Sequence, residues 1–93
     1  MFILMSIHHP HPEYEAALID SMHRYGNAIR GRAGLQSIHT LKDKRSDRLI
    51  GLAIFDSAAD FQRLAPLARA AVEDDPFETW EQFPIDGLIL TEV

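Results

Sequence analysis

The chain contains no cysteine. That excludes a disulfide framework, a thiol nucleophile and a thiolate-bound metal. It also lacks an apolar run long enough to span a bilayer. The N-terminal "MFILMSI" is too short, and it has no basic lead of the kind that opens a secretory leader. The expectation is a cytoplasmic protein with no membrane partner. Positive charge is in deficit, with 9 Lys and Arg against 14 Asp and Glu and a net charge of −5, which argues against nucleic acid as a partner. Only 5 glycines and 5 prolines are present, and they form no repeat, linker or low-complexity tract. Ninety-three residues suffice for one domain, 1–93, with a modest core. So small a chain gains from hiding apolar surface against a second copy.

What charge there is divides unevenly. Residues 24–48 hold 7 of the 9 basic side chains, and residues 73–92 hold 7 acids and no base. Two solvated faces explain this, and so does a contact between the two segments.

Apolar periodicity organises the rest. "MFILMSIHH" is rich in β-formers and reads as a strand ended by Pro10 and Pro12. Pro12 suits the first position of a helix, with His11 at the cap. Tyr14, Leu18, Met22, Tyr25 and Ile29 then recur at helical spacing. Acids lie early in that segment and arginines late, as the helix dipole favours, and Gly31 and Gly34 end it. "LQSIHTL" and "LIGLAIF" are strands joined by the charged hairpin "KDKRSDR". Ser57 and Asp60 cap a second helix with Phe61, Leu64 and Ala65 on its apolar face. Pro66 should break it, a new helical segment running from there to about Asp75. "PFETWEQFP" reads as an aromatic connection with a single helical turn, its Trp80, Phe77 and Phe83 as packing anchors, and "DGLILTEV" as the last strand. The order β-α-β-β-α-β is an α+β, ferredoxin-like arrangement with an antiparallel sheet and both helices on one face.

Alternation assigns the two faces of that sheet. Ile3, Met5, Ile7, Ile38, Ile50, Leu52 and Ile54 form an aliphatic face if the hairpin pairs Leu41 with Leu49. Ser6, His8, Ser37, His39, Gly51 and Ala53 then form a small, polar face under the helices. A bare aliphatic face of several hundred Å² is untenable in a soluble monomer, so a homodimer closed by this face is expected. The small side chains leave room for a pocket.

His39 is the leading candidate for a catalytic base, as a titratable ring in mid-strand on the small face. His8, Ser6, Ser37, Tyr25 and Phe55 are the candidate substrate-binding residues around it. No Ser-His-Asp context surrounds Ser6 or Ser37, so neither reads as a nucleophile. In "IHHPHPEY", His8 and His9 point to opposite faces and His11 lies beyond a proline, so no metal site is expected. His23 falls off the apolar stripe and reads as solvated.

The stretch from Gly34 to Leu64, followed by Pro66, resembles the antibiotic-biosynthesis monooxygenase (ABM) domain of the dimeric α+β barrel superfamily. Gly34 matches the glycine before the second strand. Phe55, Asp56 and "SAADFQRL" match the aromatic, the polar residue and the helix that follow the third strand. The resemblance implies a homodimer with facing sheets and a pocket between sheet and helices. It further implies cofactor-independent oxidation of an aromatic or quinol-like substrate, or haem degradation, or no catalysis. Departures are visible. Phe55 stands where Trp is common, and Pro66-Leu67-Ala68 where many members have Pro-His-Phe. The haem-degrading branch uses a helix histidine, and residues 63–75 contain none. No cofactor is therefore expected. "EDDPFETW" resembles the YciI-like branch of the superfamily, which leaves a non-catalytic dimer that binds a small apolar or aromatic ligand as the alternative.

Overall fold

The computed structural model describes all 93 residues. Strand β1 (Phe2–His8) leads through a 3-10 turn, Pro12–Tyr14, into helix α1 (Glu15–Ile29). Strands β2 (Leu35–Lys42) and β3 (Leu49–Phe55) form a hairpin. Helix α2 (Ala58–Ala70), the single-turn helix α3 (Phe77–Trp80) and strand β4 (Asp86–Leu90) complete the chain. The four strands lie in the order β2-β3-β1-β4, all antiparallel, which is the ferredoxin-like topology.

Local chemistry explains these boundaries. His11 caps the 3-10 turn in extended conformation with Pro12 next, as the missing proline N–H allows. Gly31 and Gly34 both adopt positive φ, 82° and 96°, and turn the chain from α1 into β2. A side chain at Gly34 would also collide with Asp60 and Arg63. Ser57 accepts the Asp60 N–H at 3.2 Å and donates its hydroxyl to the Asp60 carboxylate at 2.8 Å, opening α2.

Two expectations need correction. Helix α2 does not break at Pro66 but runs unbroken through it to Ala70, and residues 71–74 form turns. Burial of Leu64, Ala65 and Ala68 against α1 and the sheet holds the helix across the missing N–H. The hairpin register is also shifted by one. Leu49 pairs with Lys42, and Leu41 pairs with Ile50. A one-residue shift turns every side chain of β2 to the other face. Ile38 and Thr40 therefore lie under the helices. Ser37, His39 and Leu41 lie on the open face, opposite Ile54, Leu52 and Ile50. Packing rationalises this choice. Ile38 is 8% exposed in the core, and the absent side chain of Gly26 on α1 leaves space for it.

Candidate functional site

A cavity of about 300 Å³ lies between the sheet and the helices. Its apolar wall includes Leu4, Met22, Ile38, Val72, Phe77 and Ile85; its polar groups include Ser6, His8, Tyr25, Thr40 and Arg69. Period-2 alternation on β1 brings Leu4, Ser6 and His8 to this face together. The helical period of α1 brings Met22 and Tyr25, three apart, to the opposite wall.

Two of these polar groups, Ser6 and His8, are held by hydrogen bonds. The His8 ring is buried, with its Nδ1 2.8 Å from Glu81 Oε2 and its Nε2 2.9 Å from Ser6 Oγ. A carboxylate can only accept, so Nδ1 carries a proton. In the neutral ring Nε2 is then an acceptor, to which the Ser6 hydroxyl donates. The other carboxylate oxygen, Glu81 Oε1, accepts the His9 backbone N–H at 3.1 Å. Glu81 is held against β1 by backbone pairing: His11 N–H donates to Trp80 O at 2.9 Å and Gln82 N–H to His9 O at 2.7 Å. Tyr25 is half-buried, and burial pushes its phenol above the ordinary 10.0, with the Arg69 charge opposing the shift. It therefore stays a hydrogen-bond donor across the neutral range.

The structure redistributes the residues singled out from the sequence. Ser6, His8 and Tyr25 line the cavity together, and His39 is among its lining residues as well. The register of β2 nevertheless turns the His39 side chain away from the face that carries them. Its strand borders the cavity, but its side chain is exposed on the open face beside Leu52. Ser37 is on that same open face, opposite Ile54, and is not in the lining. Phe55 is 1% exposed and sealed in an aromatic cluster with Phe2 and Phe61, at centroid distances of 6.3 and 5.5 Å, so it packs the core rather than the cavity. The view that Ser6 has no triad-like context is overturned by the His8 and Glu81 contacts. Glu81, Arg69 and Thr40 escaped the sequence reading. His8, His9 and His11 do not converge, and no group of three His, Asp or Glu side chains is placed to hold a metal ion. His9 instead meets Phe83 edge-on at 5.3 Å, and Trp80 packs on Phe77 at 5.8 Å.

No family model matches the sequence, and no curated protein matches it. Solved structures do. Rv0793 of Mycobacterium tuberculosis superposes with a TM-score of 0.83 at 14% identity, over 99% of this chain and 94% of that one. A Nitrosomonas europaea protein named as a candidate antibiotic biosynthesis monooxygenase gives 0.75 at 15% identity, over 100% and 99% of the two chains. A variant of MhuD holding two manganese protoporphyrin IX molecules per active site gives 0.76 at 16% identity, over 100% and 95%. The fold is the one these structures share, and several of them carry the antibiotic biosynthesis monooxygenase name.

Proposed function

We propose that this protein is a cofactor-independent monooxygenase of a small aromatic or quinol-like substrate, with His8 as the base. The observation that supports this is the His8 ring, fixed by Glu81 on one nitrogen and joined through the other to the Ser6 hydroxyl at an apolar cavity. The acidic proton of an electron-rich phenol or quinol passes to the Ser6 hydroxyl as that hydroxyl gives its own proton to His8 Nε2. The resulting anion, delocalised onto ring carbon, supplies electrons to dioxygen. One oxygen atom ends as a new carbonyl on that carbon, and the other leaves as water with the two hydrogens lost by the substrate. Electrons and atoms balance with no further reductant. Arg69 at the cavity opposes the substrate's negative charge, and Tyr25 donates to its oxygen. Among structures of this fold, several carry the monooxygenase name.

The porphyrin held by one of those structures does not fit the residues here. Helix α2 has no histidine, and the imidazole at the cavity, His8, has both nitrogens engaged.

The active form in this reading is a homodimer. The open sheet face carries Ile3, Met5, Ile7, Ile50, Leu52 and Ile54, extended by Leu88 and Leu90 of β4 at 41% and 37% exposure. A second copy of the same face is its simplest cover.

Oxygen uptake with a panel of electron-rich polycyclic phenols tests the chemistry. His8→Ala should lower the rate by about 10²–10⁴-fold, the usual worth of a positioned base. His39→Ala should leave it unchanged, because that ring faces away. A loss confined to His39→Ala, with His8→Ala active, would return the base to His39. Tight binding of the phenols without oxygen uptake would make the protein a small-ligand-binding module, a reading also favoured by Pro66-Leu67-Ala68 replacing the family's histidine-bearing run.

A further inference from the structure

One imidazole carrying a hydroxyl on Nε2 and a carboxylate on Nδ1 has the connectivity of a nucleophilic relay. Both contacts, 2.9 and 2.8 Å, are within the reach such a relay requires. Relays of this kind are defined by geometry and role, not by order along the chain. Here one strand supplies both reacting groups. Ser6 and His8 are two apart on β1 and share its inner face, while Glu81 arrives from the segment after α3.

A second feature lies beside the hydroxyl. Ser6, Gly51 and Thr40 form one row across β1, β3 and β2. A Cβ on Gly51 would stand 2.5 Å from Ser6 Oγ, so any side chain there would force Ser6 to move, and 3.5 Å from the Met22 methyl. The glycine thus leaves a notch between two hydroxyl-bearing strands, roofed by Met22. Ser6, Gly51, Thr40 and Met22 all line the cavity, so the notch opens into it. Neighbouring strands lie about 4.8 Å apart, so the Ser6 and Thr40 backbones are separated by about twice that. Thr40 and Tyr25, two further hydroxyls, line the same cavity as Ser6.

We infer that Ser6 is a nucleophile and that the protein transfers acyl groups from small aryl esters to water. Ser6 Oγ bonds to the ester carbonyl carbon as its proton passes to His8 Nε2. Glu81 stabilises the imidazolium. Collapse of the tetrahedral adduct breaks the bond to the aryl oxygen, which leaves as a phenol with the proton from His8. Water then adds to the acyl carbon, gives its proton to His8, and the carboxylic acid departs as Ser6 regains its hydrogen. The net change is ester plus water to acid plus phenol, with no electron transferred. The activity is therefore independent of the oxygenase reading.

The test is run under argon, where no oxygenation can occur. Wild-type protein is mixed with p-nitrophenyl acetate, and p-nitrophenol is followed by stopped flow. Acid-quenched samples are mapped by peptide mass spectrometry, and a fluorophosphonate serves as a second acylation-site probe. The expected result is a burst of one p-nitrophenol per subunit, with acetyl and phosphonyl groups on Ser6. Ser6→Ala and His8→Ala should abolish the burst and the label. Should Ser6→Ala fail to fold, the wild-type peptide map decides alone. Label on lysines, tyrosines or the N-terminus with Ser6 unmodified would overturn the proposal, as would a burst that persists in folded Ser6→Ala. Absence of oxygen uptake in air alongside a Ser6 adduct would defeat the oxygenase reading and leave this one standing.

Discussion

Glu81 accepts from two donors at once, the His8 ring and the His9 backbone, while itself only 7% exposed. Removing it strands both. Glu81→Ala should therefore cost about 1–3 kcal/mol for each donor left without a partner. In a chain of this size each kcal/mol lowers the melting temperature by about 4–8 °C, which thermal circular dichroism would read. An unchanged melting temperature would mean that water replaces the carboxylate. Gly51 makes the complementary case. Gly51→Ala would drive a methyl into Ser6 Oγ, so the Ser6–His8 hydrogen bond should be lost, seen as a moved His8 ring signal in NMR. At this scale the sequence was half legible. Alternation along β1 places Ser6 and His8 on one face, and Gly51 stands out as a missing side chain. Glu81 did not, because 73 residues separate it from His8 and it is one of several acids in a polar tail. Only the backbone pairing of Gln82 and Trp80 to the "HHPH" corner brings it inward.

Elements show where a small error of register becomes a large error of site. The strand lengths, the helix order and the faces of β1 and β3 follow from apolar periodicity. The pairing of β2 does not, because "KDKRSDR" permits more than one closure. Asp43 selects it. Its carboxylate accepts from the Arg45 N–H at 2.9 Å, the Ser46 hydroxyl at 2.9 Å and Arg48 Nη2 at 2.7 Å, and its N–H donates to Arg48 O at 3.0 Å. That hub closes the loop over residues 43–48 and carries Lys42 into the ladder opposite Leu49. His39 thereby leaves the helix side. The Arg48 guanidinium, with the Arg45 amide and the Ser46 hydroxyl, holds the Asp43 carboxyl down at about 2, against an ordinary 3.8. A carboxyl depressed on folding stabilises the fold fully above its unfolded pKa and loses that contribution as pH falls through its folded value. The loop should therefore stay closed at pH 4 and open as pH falls from 3.8 toward about 2. Amide exchange at Arg45 and Arg48 would follow it, and Asp43→Asn should remove the pH step. Helix α2 offers a separate test. Pro66 is exposed in mid-helix and donates no hydrogen bond there. Pro66→Ala regains that bond at some cost in unfolded-chain entropy, so it should stabilise by about 1–2 kcal/mol in urea unfolding. A destabilised variant would show that the ring packs against something essential. The charge segregation also resolves at this scale. Arg24 Nη2 meets Asp75 Oδ2 at 2.8 Å, so the basic and acidic segments do touch within the chain. The Ser21 hydroxyl and Arg24 together lower the Asp75 carboxyl below its ordinary range.

For the whole molecule, the decisive fact is that helices cover one face of the sheet and nothing in the chain covers the other. The shifted register changes that open face without dissolving it. Ile38 is withdrawn, and Leu41, His39 and Ser37 take places beside Ile50, Leu52 and Ile54. Its centre stays aliphatic, because Met5 pairs with Leu52 on one side and with Leu88 on the other. Each Ile or Leu taken fully from water contributes roughly 1.5–3 kcal/mol. Several of them together rival an association cost of roughly 4–15 kcal/mol, so the proposed dimer depends on the central ones being dry. Leu52 lies in the middle of β3 with neighbours on both sides, so a charge there has no rim to escape to. Leu52→Asp should give a monomer or an aggregate, whereas Leu90→Asp, at the end of edge strand β4, should weaken the dimer far less. Sedimentation velocity at micromolar concentration measures both. A wild-type protein that sediments as a soluble monomer would show that the open face is tolerated bare, and the cavity would then have to work in a single chain.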